Sequence, residues 1–78
     1  MKTKIKEWYI KEYPEDELGI EINNEITFHD LFRVLDTHED VYEALSVGDS
    51  IVRERVFSKL ADIMKVSYDY IFCKWVRE

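Results

Sequence analysis

A mainly α-helical fold is predicted, a small single-domain bundle of four to five short helices behind an extended or β N-terminal segment. Three observations predict it. From Phe28 onward apolar residues recur at three- and four-residue steps, the spacing of one helix face. A Thr, Ser or Asp of N-cap type stands before each such run. The connections between runs are short, without linkers, repeats or low-complexity stretches. At 78 residues, positions 1–78 form one domain.

The N-terminal stretch from Thr3 to Tyr13 mixes β-branched and aromatic residues with charges. It reads as an extended segment or short strand that ends where Pro14 pushes Tyr13 out of the helical region. Two readings compete for residues 15–28. Pro14 can open a short helix over Glu15 to Ile22, with Glu15, Asp16 and Glu17 complementing the dipole of its first turn and Gly19 counting against it. Alternatively Ile20, Ile22, Ile26 and Phe28 alternate about Asn23-Asn24 as a hairpin at 19–28, which with the N-terminal strand gives an α+β fold.

Thr27 and Asp30 then form a capping-box pair. Phe28, Leu31, Phe32 and Leu35 mark a helix to about Asp36. Thr37 to Asp40 repeats the cap for a second short helix with Val41, Ala44 and Leu45, stopped near Gly48. Asp49 or Ser50 caps the longest helix, whose stripe is Val52, Val56, Leu60, Ile63 and Met64, with Arg53, Glu54, Arg55, Lys59 and Asp62 outward. Ser67 caps the last helix, where Tyr68, Ile71, Phe72, Trp75 and Val76 face inward.

Charge is strongly segregated beneath a net −6. Met1 to Lys11 carries +3, Glu12 to Asp49 carries twelve acids against the lone Arg33 for −11, and Ser50 to Glu78 carries +2. A total of about 2–8 suffices to keep a small domain soluble. The acidic segment therefore reads either as a solvated face or as a surface shaped for a basic partner. The partner-binding residues expected on the second reading are Glu15, Asp16, Glu17, Glu21 and Glu25, with Asp36, Glu39, Asp40 and Glu43 as a second cluster. Trp8 or Tyr13 is the aromatic anchor, since interfaces enrich for such residues. Trp8, Tyr9 and Tyr13 beside Lys6 and Lys11 also match a stacking platform for single-stranded nucleic acid, although filling a small core is the commoner use of such rings. Trp75 is assigned to the core.

Chemistry is scarce. His29-Asp30 and His38-Glu39-Asp40 place each histidine next to a cap residue, and zinc needs three or four converging ligands, so no metal is expected. Cys73 has no second cysteine to pair with and reads as a buried, inert thiol. No glycine-rich phosphate loop or nucleophile signature is present, so the expectation is a non-enzyme without cofactor. No uncharged run approaches the roughly 20 residues of a membrane span, and the Lys-rich start lacks the apolar run of a secretory signal, which points to a cytoplasmic protein.

Residues 60–71, Leu-Ala-Asp-Ile-Met-Lys-Val-Ser-Tyr-Asp-Tyr-Ile, resemble the helix-turn-helix of Cro- and repressor-type regulators, with Ala61, Val66 and Ile71 at the packing positions and Lys65 where that family usually has Gly. The resemblance implies a DNA-binding regulator using Arg53, Arg55, Lys65, Lys74 and Arg77. Against it, the would-be recognition helix begins with Asp69, and a sequence pI near 4.9 opposes duplex DNA. The stretches at 7–19 and 40–57, with 68–75 added, look like small acidic proteins of phages and conjugative elements in Gram-positive bacteria. That resemblance implies a compact acidic protein that blocks a host CRISPR–Cas or restriction nuclease, carboxylates standing in for DNA phosphates, or else a small phage assembly protein.

Overall fold

The computed structural model describes residues 3–76. It contains five α-helices, α1 (Ile5–Glu12), α2 (Phe28–Asp36), α3 (Val41–Leu45), α4 (Ser50–Met64) and α5 (Tyr68–Val76), with a 3-10 turn at Glu17–Glu21 between the first two. The mainly helical fold is as expected. The N-terminal segment is not: Ile5–Glu12 is a helix rather than a strand. Ile5 and Tyr9, four residues apart, are its buried positions, so the β-branched and aromatic composition serves a helical period. Lys4, just before the helix, keeps an extended conformation. It forms an isolated antiparallel bridge with Thr27, next to which the Ile5 N–H donates to Ile26 O at 3.0 Å.

Neither reading of 15–28 survives intact. No hairpin forms at 19–28: Ile22 and Ile26 are buried while Ile20 is 64% exposed, so the alternating isoleucines do not share a face. The Asn23 side chain instead accepts from Glu25 N, and the Asn23 N–H donates to Leu45 O at 3.0 Å, which ties the loop to the end of α3. The helix expected over 15–22 is one 3-10 turn. Its cap is Asp16, which accepts from Leu18 N at 2.9 Å, and not Pro14.

The later elements follow the capping logic closely. Both halves of the Thr27–Asp30 capping box form, at 3.1 Å each. Asp49 accepts from Ile51 and Val52 at the start of α4, and Ser67 Oγ accepts from Tyr70 N. Thr37, however, closes α2 rather than opening α3. Its hydroxyl donates to Val34 O, His38 reverses the chain at φ 62°, and Asp40 caps α3 by accepting from Glu43 N. His38 thus lies in a turn and not in a first helical turn. Ser46, at φ 65°, ends α3 two residues before Gly48.

The core is built from one face of each helix: Ile5 and Tyr9 of α1, Phe28, Leu31 and Leu35 of α2, Leu45 of α3, Val52, Val56, Phe57 and Leu60 of α4, and Ile71 of α5. Phe57 and Ala61 join the predicted stripe of α4, whereas Ile63 and Met64 near its end are only half-buried. On α5 Phe72 is exposed, Tyr68 and Trp75 are half-buried, and Cys73, expected inside, is at the surface. The side chain of Val76 and residue Arg77 fall outside the described residues.

Candidate functional site

The acidic segment divides by residue type. All five aspartates between positions 12 and 49 have partners inside the fold. Asp16, Asp30, Asp40 and Asp49 accept from backbone N–H groups at the starts of helical elements, and Asp36 pairs with Lys74 at 2.8 Å. A one-methylene side chain reaches the backbone two or three residues on, which is why aspartate suits a cap. The glutamates reach past the backbone to solvent. Glu12, Glu15, Glu17, Glu21, Glu39 and Glu43 are exposed, and among the described residues none has a cation within 4 Å; Glu25 lies 4.0 Å from Lys4.

Asp16 is therefore a correction to the expected outward cluster. Its side chain is 23% exposed and turned inward. The Tyr9 hydroxyl donates to Asp16 Oδ2 at 2.6 Å, and Arg55 Nη1 donates both to Asp16 Oδ2 at 2.7 Å and to the Tyr9 hydroxyl at 2.8 Å. This triangle joins α1, the 3-10 turn and α4. The Arg55 guanidinium also lies 4.3 Å over the ring of Tyr13. Together Tyr13, Asp16 and Arg55 line a cleft of about 740 Å³ whose other walls include Glu12, Glu15 and Glu17. Tyr13, the expected anchor, lines the cleft but is half-buried and carries Arg55 on its face. Trp8 packs edge-on to Tyr9, Tyr13 and Phe28, so the aromatic residues of α1 pack together and against α2.

The triangle sets the titration of its members. The Tyr9 hydroxyl, then the Leu18 N–H, hold the Asp16 carboxyl below the usual carboxylate range, and Arg55 adds to this against the opposing effect of burial. Burial, followed by the hydrogen bond to Asp16, raises the Tyr9 phenol. Asp30 is lowered by the Thr27 backbone and hydroxyl. A depressed carboxylate contributes stability above its unfolded value of about 3.9, and this is lost as pH falls through the folded value. Tyr9 has the opposite sense: its contribution is complete below about 10 and lost as pH rises through its raised value. The urea midpoint is accordingly expected to fall as the solution is acidified below about pH 4. Asp16→Asn should flatten that limb and leave the part due to Asp30. An Asp16→Asn variant with the full wild-type acid limb would show that the triangle contributes nothing.

The second acidic group sits at the other corner of the fold. Glu39, Asp40 and Glu43 border a hollow of about 360 Å³ at the start of α3. It shares no lining residue with the Tyr13–Arg55 cleft. Asp36 is exposed on α2 beside Lys74, and Glu25 lines a mixed-charge hollow with Lys4 and Lys6. Of the first expected cluster, Glu15, Asp16 and Glu17 line the cleft while Glu25 lines another hollow; of the second, Glu39, Asp40 and Glu43 border one hollow and Asp36 stands outside it.

The α4–α5 connection does take a helix-turn-helix-like form. Lys65 adopts the left-handed conformation at φ 59° that glycine would favour, and the Val66 N–H and Lys65 N–H return to Ala61 O and Asp62 O in a Schellman closure. The cations do not follow. Arg55 belongs to the triangle, the Lys74 amine is held by Asp36, and the Arg53 guanidinium lies 4.1 Å over Trp75 and donates to the Tyr42 hydroxyl. Arg53 Nε is buried without a hydrogen-bonding oxygen, facing aromatic surface. Arg53 and Arg55, expected outward, are both half-buried, a difference visible only once the rings of Tyr13, Tyr42 and Trp75 are in place. Among the described side chains of α5, Asp69, Tyr70, Phe72 and Cys73 are exposed.

Among the described residues no group of three or more His, Cys, Asp or Glu could hold a metal ion, and no helix is long and apolar enough to cross a membrane. The structure defines a small helical bundle carrying two groups of exposed glutamates. Comparison with known proteins finds no matching family model, curated sequence or solved structure.

Proposed function

We propose that this chain is a non-enzymatic binding protein whose glutamates dock on the basic surface of a nucleic-acid-handling protein. The observation that carries the reading is the division of the acids. The aspartates have structural partners, while six glutamates stand at the surface with no cation within 4 Å among the described residues. Like charges held this way repel one another and cost stability, and a basic partner relieves that cost while opposite charge speeds the encounter. A nuclease or effector complex offers such a surface in its nucleic-acid channel, where carboxylates can occupy phosphate positions. The likeness to acidic proteins of mobile elements supplies the setting, inhibition of a host restriction or CRISPR–Cas nuclease.

Reversing Asp16 or Asp40 would remove a structural hydrogen bond along with the charge, so the test uses glutamates alone. Glu15, Glu17, Glu21 and Glu43 changed together to Lys should leave the helical circular dichroism and urea midpoint close to wild type. Capture from nuclease-treated bacterial lysate is the readout, washed at about 0.1 M and then about 1 M salt, where the screening length falls from roughly 10 to 3 Å. The wild type is expected to retain a nucleic-acid-binding protein at low salt, to release it at high salt, and to lose it to competing duplex DNA. The folded quadruple variant should not retain it. Equal retention by both proteins would overturn the reading.

The closure at Lys65 favours a second reading, a helix-turn-helix regulator. It requires duplex DNA binding that weakens steeply with salt, and absence of binding in dilute buffer removes it.

A further inference from the structure

Among the described residues Ile20 is the most exposed large apolar side chain, at 64%, and Ile10 is 43% exposed. Both belong to the seam between α1 and the 3-10 turn. Ile10 Cγ1 lies 3.5 Å from where a Cβ on Gly19 would stand, and Ile20 is the next residue. Beside the seam is a hollow of about 410 Å³ lined by Lys4, Lys6, Glu7, Ile10, Asn24 and Glu25. Ile10 is therefore part of both, which puts an exposed apolar knob and an open hollow of mixed sign on neighbouring parts of one face. Lys6, on α1, and Glu21, after Ile20, each lack an opposite charge within 4 Å among the described residues, and Lys4 reaches Glu25 only at 4.0 Å.

We propose that a second copy of this chain covers this face, each copy setting its Ile20 into the Ile10 hollow of the other, with its Glu21 facing the other copy's Lys6. The occupant follows from the charge. A uniformly basic protein would meet Lys4 and Lys6, and a uniformly acidic one Glu21. A surface that carries both signs around an apolar centre is complementary to itself under a two-fold rotation, where residue i meets j and j meets i. Closure follows from the placement, since a knob and a hollow on opposite faces would propagate a filament, whereas side by side they pair off. The turn holds its knob firmly: Gly19 is seated against the Tyr9 ring and Ile22 is buried, so Ile20 lies between two fixed positions. One isoleucine and one hollow per copy make an interface of the weak class, below about 1,200 Å² in total. The net charge of −6 on each copy opposes the approach, so the dimer belongs to high protein concentration and to salt that screens beyond about 8 Å.

The test is sedimentation of the purified full chain from about 1 μM to about 1 mM in about 0.15 M salt. The mass is expected to rise from 9.5 kDa toward twice that value. Ile20→Ser, which alters an exposed side chain, should weaken dimerisation by about tenfold or more, since the two-fold counts each loss twice. Lys6→Glu and Glu21→Lys should each weaken it several-fold, because each sets like charges face to face. Mixed together, these two variants should form a heterodimer of near wild-type strength, every contact again joining opposite signs. A general change in net charge would not produce that rescue. Circular dichroism and urea midpoints check the folding of each variant; Lys6 lies in the first turn of α1, where a glutamate suits the helix dipole. A mass of 9.5 kDa at every concentration, a dimer indifferent to Ile20→Ser, or a mixture no stronger than either charge variant alone would overturn the assignment. The measurement uses the purified chain alone. Monomeric behaviour therefore leaves the docking role standing, and failed lysate capture by a chain that dimerises counts against docking alone.

Discussion

Tyr9→Ala is expected to lower the stability of the domain by about 3–5 kcal/mol at 25 °C. Tyr9 is 0% exposed and is among the largest fully buried side chains, although it belongs to a helix of only eight residues. Its ring meets Trp8 edge-on at 5.9 Å and Tyr13 at 4.9 Å, and it lies against Gly19 of the 3-10 turn. Removing a buried aromatic ring typically costs about 3–5 kcal/mol, because the surroundings close only partly over the cavity. A domain of this length has roughly 4–12 kcal/mol in total at about 0.05–0.15 kcal/mol per residue. The substitution therefore takes away about a quarter or more of the stability, and all of it if the domain lies at the low end, where the chain would be unfolded. Urea unfolding followed by circular dichroism gives the measurement, with Tyr9→Phe as the companion. Phe keeps the ring and should remain folded, losing the hydroxyl that donates to Asp16 and accepts from Arg55. A cooperative Tyr9→Ala transition with a near-wild-type midpoint would mean that α1 is not packed on the core as described.

That an eight-residue segment can matter this much also explains why it was hard to read. In α2 and α4 two independent signals coincide, a side-chain cap and an apolar period carried by three or more buried residues, and their starts agree with the sequence reading. α1 has no side-chain cap, since Lys4 makes none, and two turns leave room for just two buried positions, Ile5 and Tyr9. With so few residues a helical period is indistinguishable from a mixed strand, and the β-branched and aromatic composition then tips the reading the wrong way. The 15–28 region fails for a different reason. Its conformation is fixed from outside, by the Tyr9 ring under Gly19 and by Leu45 O accepting from Asn23.

The candidate site was legible as composition and not as geometry. The excess of acid between 12 and 49 is plain in the sequence. Which acids are available to a partner depends on what each side chain finds nearby. For Asp30, Asp40 and Asp49 the finding is local, a backbone N–H two or three residues on, and an N-cap rule would have removed them from the binding set. Asp16 is a local cap as well, accepting from Leu18 N, but it also meets Tyr9 and Arg55, 7 and 39 positions away, and only packing brings Arg55 within reach. The same holds for Tyr42 and Trp75, which stand 33 positions apart in sequence and 5.9 Å apart in the fold.

Gly19→Ala tests the contact that seats the 3-10 turn on the Tyr9 ring of α1. A Cβ at this position would lie 2.7 Å from Tyr9 Cδ1 and 3.3 Å from Cε1. The ring cannot withdraw, because it is fully buried and braced by Trp8 and Tyr13. Overpacking of this kind costs about 1–3 kcal/mol. Gly48 is the internal control: a Cβ there meets nothing within 4 Å, and its φ is not positive. Gly48→Ala should be neutral or gain about 0.4–1 kcal/mol, since alanine has less unfolded-state freedom to lose. A Tyr9→Leu background then separates contact from backbone. With the ring gone, Gly19→Ala should lose most of its cost, so the two changes are strongly non-additive. Urea midpoints of the single and double variants measure this. If Gly19→Ala behaves like Gly48→Ala, the 3-10 turn does not rest on the Tyr9 ring. The Asp16–Arg55 pairing that closes the cleft would then need another support.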